Sequence, residues 1–159
     1  MKRQLASAVG LFGLITFAGI AQADDLEFTA ELSGDEEVPP VATDARGEAE
    51  FEVDDDEIEF ELEIKNGDRI LGEAGAHIHC APAGENGPVV AFLAGVVLGG
   101  LDGKVVVEGT LTGANIVNDA CGATIPDLVE AMMDGDIYVN VHSIPNPAGE
   151  VRGQIELDD

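Results

Sequence analysis

Apolar and acidic side chains alternate one by one along much of this chain, and few folds accommodate that pattern. Residues 26–32 read LEFTAEL, 49–53 read AEFEV and 58–64 read IEFELEI. Successive side chains of an extended strand point to opposite faces, so a period of two collects the apolar groups on one face and the acids on the other. The acidic turn at 54–56 joins two such runs, which predicts an antiparallel hairpin.

Further strands are predicted where apolar runs lie between turns containing Gly, Pro or Asn, at 74–80, 88–94, 104–112, 136–142 and 150–157. About eight short strands in one domain indicate an all-β fold, either a Greek-key β-sandwich or a flattened barrel. One segment, TIPDLVEAMMDG at 124–135, breaks the period. Thr124 as N-cap, Asp127 three residues later and Gly135 after the end predict one short helix there.

The first 23 residues have the pattern of a signal peptide. A basic start at 2–3 precedes an apolar run at 5–20, and an A-x-A cleavage signal follows at 21–23. This pattern predicts a signal peptide over 1–23 and one domain over 24–159, exported to the periplasm or out of the cell.

The charge of the predicted domain excludes some classes of partner. After residue 23 the chain has five Lys and Arg residues against 32 Asp and Glu residues. Such a surface repels nucleic acid and anionic membranes, so we expect neither a nucleic-acid partner nor a membrane partner after processing. It attracts cations, or it serves only to keep the protein solvated in salt.

The chain has two cysteines, Cys80 and Cys121. An even number in an exported protein favours a disulfide, and two cysteines allow one pairing. A pair of thiolate ligands to a metal is the alternative.

All three histidines lie in two apolar strand segments, AGAHIHCAPAG at 74–84 and YVNVHS at 138–143. An H-x-H pair on a strand sets two imidazoles on one face, about 6.5–7 Å apart, a separation that one metal can bridge. We therefore predict a metal site formed by His77, His79 and His142. Imidazole suits copper and zinc. The alternative is two unrelated polar strand surfaces.

The alternation also predicts the direction of these side chains. Ile78 and Val141 belong to the apolar faces of their strands, so His77, His79 and His142 lie on the opposite face. Arg152 lies likewise opposite its apolar neighbours. If the apolar sets fill the interior, the histidines and Arg152 project from the outside of the sheet, and the site is on the surface.

Three stretches, at 36–51, 76–93 and 138–155, together resemble the CHRD domain, which was named from chordin and is common in exported bacterial proteins. In chordin the domain belongs to an extracellular signalling antagonist. The resemblance therefore implies an exported domain, with a non-catalytic interaction role as one functional alternative.

His77-Ile78-His79 and Val141-His142, followed by Arg152, also resemble the skeleton of Cu/Zn superoxide dismutase, a Greek-key barrel with an intrachain disulfide. That resemblance implies His77, His79 and His142 as copper ligands and Arg152 as a guide for the superoxide anion. The bridging histidine, the histidine-rich zinc loop and a fourth copper histidine have no counterpart here, so copper is favoured over zinc. Metal binding is the first hypothesis, and a copper-only dismutase is an enzymatic alternative.

Overall fold

The computed structural model describes residues 26–158. The predicted signal peptide lies outside the described residues. Nine strands and one α-helix are present in the described part: β1 Leu26–Ser33, β2 Arg46–Asp54, β3 Glu57–Ile70, β4 Ala76–Cys80, β5 Val89–Ala94, β6 Leu101–Thr112, α1 Ile125–Met133, β7 Ile137–Val141, β8 Val151–Gln154 and β9 Glu156–Leu157. Short 3-10 turns occupy Gly34–Glu36 and Gly113–Asn115.

The strands form one antiparallel sheet in the order β5-β4-β7-β8-β1-β2-β3-β6, and β9 pairs with β1. The sheet curls until its edges almost meet, and residues after β6 complete the closure: Ile116 bridges to Ala91 of β5, and the Val117 N–H donates to the Val90 carbonyl at 2.8 Å. The connections from β3 to β4 and from β6 to β7 each cross two strands of this ring, as in a Greek-key barrel. The predicted all-β flattened barrel is confirmed.

The alternating runs form the three-stranded meander β1-β2-β3. Phe28 of β1 lies opposite Phe51 of β2, which lies opposite Phe60 of β3, and all three rings are buried. Because the pleat keeps this register along the meander, the apolar half of every run faces one core. The turn at 54–56 is where the acidic residues predicted it, with Asp55 at φ 52°.

The other half of each run forms three rows of acids across the outer face of the meander. The rows are Glu27–Glu52–Glu59, Glu50–Glu61–Glu108 and Glu31–Glu48–Glu63. Of these, Glu63 pairs with Lys65 at 2.7 Å and also with Lys104. Like charges directly opposite on neighbouring strands destabilise a sheet, so this face stabilises the fold less at low salt than at high salt.

We expect Glu61→Gln to raise the free energy of unfolding by about 0.5 kcal/mol at low salt, because Glu61 lies between two other glutamates. Urea unfolding at low salt and in 1 M NaCl measures the change, which should vanish at high salt. Glu63→Gln is the matched control, since it removes two ion pairs and should not raise the free energy of unfolding. An equal gain in both variants would contradict the prediction.

The helix α1 begins and ends close to the predicted bounds. Thr124 accepts a hydrogen bond from the Asp127 N–H, and the Asp127 side chain reciprocates as a capping box. Leu128 and Met132 are buried against the core, and Ala131 is partly buried. Among residues 26–158 there is no helix with the length and hydrophobicity needed to cross a membrane.

Cys80 and Cys121 form a disulfide, with Cα atoms 5.7 Å apart. The bond ties the end of β4 to the loop before α1. Cys80 is partly buried and packs against the core. The alternative of two thiolate ligands is therefore wrong, since a disulfide leaves no thiolate.

Candidate metal centre

The structure brings the three histidines together on one face of the sheet. His77 and His79 come from β4, and His142 follows the last residue of the neighbouring strand β7. The ring centres of His77 and His79 are 5.6 Å apart, and those of His77 and His142 are 4.9 Å apart. One nitrogen of each ring lies within 4.8 Å of the other two. Nitrogens that share one ion at about 2.0–2.1 Å are at most about 4.2 Å apart, so these rings need to close by less than about 1 Å.

One nitrogen of each ring has no partner. The Nδ1 atoms of His79 and His142 lie 3.0 Å from the carbonyl oxygens of Gly87 and Pro147, which can only accept. These contacts place the proton on Nδ1 and leave the lone pair on Nε2. His77 Nδ1, His79 Nε2 and His142 Nε2 are buried without a hydrogen-bond partner among the described residues. Buried polar atoms rarely lack a hydrogen-bond partner, and three such nitrogens in one cluster are consistent with a site for a metal ion.

Burial holds the three imidazoles neutral. It lowers the pKa of His77 to about 4, with the nearby His142 adding to the shift. Burial also lowers the pKa of His79, opposed by the Gly87 carbonyl, and that of His142, opposed by the Pro147 carbonyl. Neutral imidazole is the form that binds a metal, so these rings do not have to lose a proton first at pH 7.

The histidines lie on the predicted side of the sheet but not on the surface. His77, His79 and His142 are 5%, 9% and 7% exposed. The segments 81–88 and 143–150 fold over the outer face and cover them, which the alternation of the strands does not encode. Phe92 of β5, half exposed, packs edge-on against His77 with ring centres 4.8 Å apart.

Arg152 is also covered. It is 2% exposed, and its Nη2 donates to the Glu85 carbonyl at 2.6 Å while its Nη1 donates to Asn86 Oδ1 at 3.2 Å. Its guanidinium carbon lies 3.5 Å from the centre of the Tyr138 ring. The structure thus places Arg152 on the same face as the histidines, with two of its N–H groups bonded to the loop above it.

Tyr138 joins Arg152 to the histidines. Its ring is parallel to that of His79 within 10°, with centres 4.8 Å apart. The Gly87 N–H donates to the Tyr138 hydroxyl at 3.2 Å, and the carbonyl of the same Gly87 holds His79. One glycine of the covering loop therefore orients both rings of the stack.

A buried carboxyl group lies beside this stack. Glu37 Oε2 accepts from the Asn140 amide at 3.2 Å, and Asn140 is the strand partner of both His77 and Arg152. Burial raises the pKa of Glu37 to about 7, against the lowering effects of Asn140 and Arg152. Strand alternation places Tyr138 and Asn140 on the same face as His142 but indicates no role for them, and no sequence pattern points to Glu37 or to the two carbonyls.

These features define a Greek-key barrel with a disulfide and a covered cluster of three neutral histidines. A family model for the CHRD domain matches residues 28–155, most of the chain. The chain belongs to the CHRD domain family. No curated protein and no solved structure gave a significant match. The disulfide and the family membership fit an exported protein.

Proposed function

We propose that this protein is an exported copper-binding domain, located in the periplasm or outside the cell, that holds one copper ion through His77, His79 and His142. The observation that carries the proposal is the cluster of three histidines: one nitrogen of each ring lies within 4.8 Å of the others, and each ring has a buried nitrogen without a partner. His79 Nε2, His142 Nε2 and His77 Nδ1 would hold the ion, since the remaining nitrogens of His79 and His142 face carbonyls. An all-imidazole set suits copper and, less well in this setting, zinc.

The carbonyls of Gly87 and Pro147 support the same proposal. Metal-binding histidines usually donate their second N–H to a carbonyl or carboxylate, which fixes the ring and its tautomer. Here the partners are backbone atoms of two loops, so the rings are oriented before any ion arrives. The three protein ligands would leave a coordination position open.

Tyrosine fluorescence tests the proposal directly. Tyr138 is the only tyrosine, and the chain has no tryptophan. Since Tyr138 is 2% exposed and stacks on His79, free Cu²⁺ cannot collide with it, whereas Cu²⁺ bound at His79 is close enough to quench it. We expect titration with Cu²⁺ to quench the emission with an endpoint at one ion per chain.

The variant His77→Ala/His79→Ala/His142→Ala should lose this saturable quenching. Circular dichroism and the melting temperature would show that the variant is folded. Wild-type protein that melts at the same temperature with and without copper, and whose emission does not change, would remove the proposal. That outcome would favour the non-catalytic interaction domain instead.

Superoxide dismutation at the same centre is the second candidate, because an open coordination position is what turnover requires. We rank it behind copper binding, since Arg152, which would guide the anion, is covered and bonds Glu85 and Asn86 through two of its N–H groups. Consumption of superoxide by copper-loaded protein, compared with the triple-alanine variant, tests it.

A further inference from the structure

Arg152, Tyr138 and His79 form a three-layer stack that ends at a candidate metal ligand. The guanidinium carbon is 3.5 Å from the Tyr138 ring centre, which is 4.8 Å from the His79 ring centre. The two distances together place the Arg152 charge no more than about 8 Å from the His79 ring. The tyrosine ring fills the space between them, so no water screens the charge along this line.

The charge of Arg152 has no ionic partner in the described structure. Its hydrogen-bond acceptors are a carbonyl oxygen and an amide oxygen, both neutral, and its third contact is an aromatic face. None of the ion pairs found between residues 26 and 158 includes it. Glu37 bonds Asn140, the strand partner of Arg152, and burial raises the pKa of this carboxyl to about 7, so it carries only part of its charge near neutral pH.

Two buried carboxyl groups, those of Glu37 and Glu150, bond residues beside the histidines. Neither forms an ion pair with Arg152 within the described residues. Glu150 keeps its negative charge, which hydrogen bonds from the neutral groups of Ser143, Asn146 and Thr43 stabilise. The site therefore combines three neutral ligands with a buried cation that has no ion-pair partner, inside a strongly acidic protein.

We infer that this site prefers reduced copper, Cu⁺, over divalent ions, and that Arg152 sets the preference through the Tyr138 stack. The inference rests on the proposed copper binding at the three histidines. A positive charge beside the ion opposes a second unit of charge on it, and the neutral ligands supply none of the negative charge that would stabilise Cu²⁺. Arg152 is thus a specificity-determining residue, with its donors engaged in holding the loop 81–88.

The expected size of this preference follows from the distance between the Arg152 charge and the ion. Cu²⁺ and Cu⁺ differ by one unit charge, and at about 10 Å with an effective dielectric constant near 20 that difference corresponds to about tenfold to twentyfold in affinity. Because the charge is buried, added salt should change this ratio little.

The test compares two association constants in each protein, measured by competition with bathocuproine disulfonate for Cu⁺ and with nitrilotriacetate for Cu²⁺. Arg152→Gln removes the charge and keeps an amide donor for the Glu85 carbonyl. We expect its ratio of Cu⁺ to Cu²⁺ affinity to fall about tenfold to twentyfold. Lys104→Gln, which removes an exposed cation on β6, is the charge-matched control and should keep the wild-type ratio.

A second variant covers the case in which Arg152→Gln does not fold. Asn86→Asp places a carboxylate where Asn86 Oδ1 now accepts from Arg152, and so pairs the charge without removing the arginine. The ratio of Cu⁺ to Cu²⁺ affinity of this variant should also fall. Wild-type protein that binds neither ion would overturn the proposed function. Tight binding with an unchanged ratio in a folded Arg152→Gln or Asn86→Asp variant would overturn this inference alone.

Discussion

Replacing His142 by alanine should lower the copper affinity at least about 100-fold while leaving the barrel folded. Removing the groups that orient a ligand already costs about 10- to 100-fold, and this change removes a ligand itself. His142 lies beyond the end of β7, on the outer face of the sheet and away from the hydrophobic core, so its loss should affect the site more than the fold. Isothermal titration with copper, run beside a thermal melt, measures both effects.

Gln154→Ala is the matched control for this change. Gln154 projects from β8 on the same face as the histidines and bonds the carbonyls of Ala81 and Gly135, but offers no nitrogen to the cluster. We expect it to bind copper as the wild type does. Undiminished binding in a folded His142→Ala variant would mean that the ion is held elsewhere, and the three-histidine site would have to be abandoned.

Loss of the disulfide should have the largest effect on stability. In Cys80→Ser/Cys121→Ser the unfolded chain is no longer closed over a sequence separation of 41 residues. The chain-entropy relation then gives about 4 kcal/mol of lost stability, or a melting temperature lower by about 10–20 °C. Since small domains are stable by only about 5–15 kcal/mol, this is a large share of the total.

Wild-type protein reduced with dithiothreitol should have the same melting temperature as the double-serine variant, because both lack the same covalent link. The Glu61→Gln variant, whose change lies far from the bond on the outer face of the meander, is the control. Reduction should lower its melting temperature by as much as it lowers that of the wild type. A double-serine variant with the melting temperature of the oxidised wild type would contradict the chain-entropy argument.

The candidate ligands could be predicted because strand alternation is a local rule. His77 and His79 are two residues apart, so any strand that buries Ile78 must place both rings on the other face. Their meeting with His142 is not local. It depends on the antiparallel register that pairs His77 with Asn140, between segments far apart in the chain.

The roles of Tyr138, Arg152 and Gly87 were not predictable in the same way. The alternation placed Tyr138 and Arg152 on the outer face but could not show that they stack on each other and on His79. The predicted surface site proved to be covered, because the path of the loop 81–88 is decided by its turn residues and its contacts with β7 and β8. Periodic patterns contain no information on such paths.

By itself the sequence determined the strands, their buried faces, the capped helix and the single possible disulfide, since each follows from neighbouring residues or from elimination. Only the tertiary structure decided that the three histidines converge, that two carbonyls orient them and that a buried arginine stacks near them. The physical reason is that these contacts join β4, β7, β8 and two covering loops. Their geometry is set when the whole barrel closes.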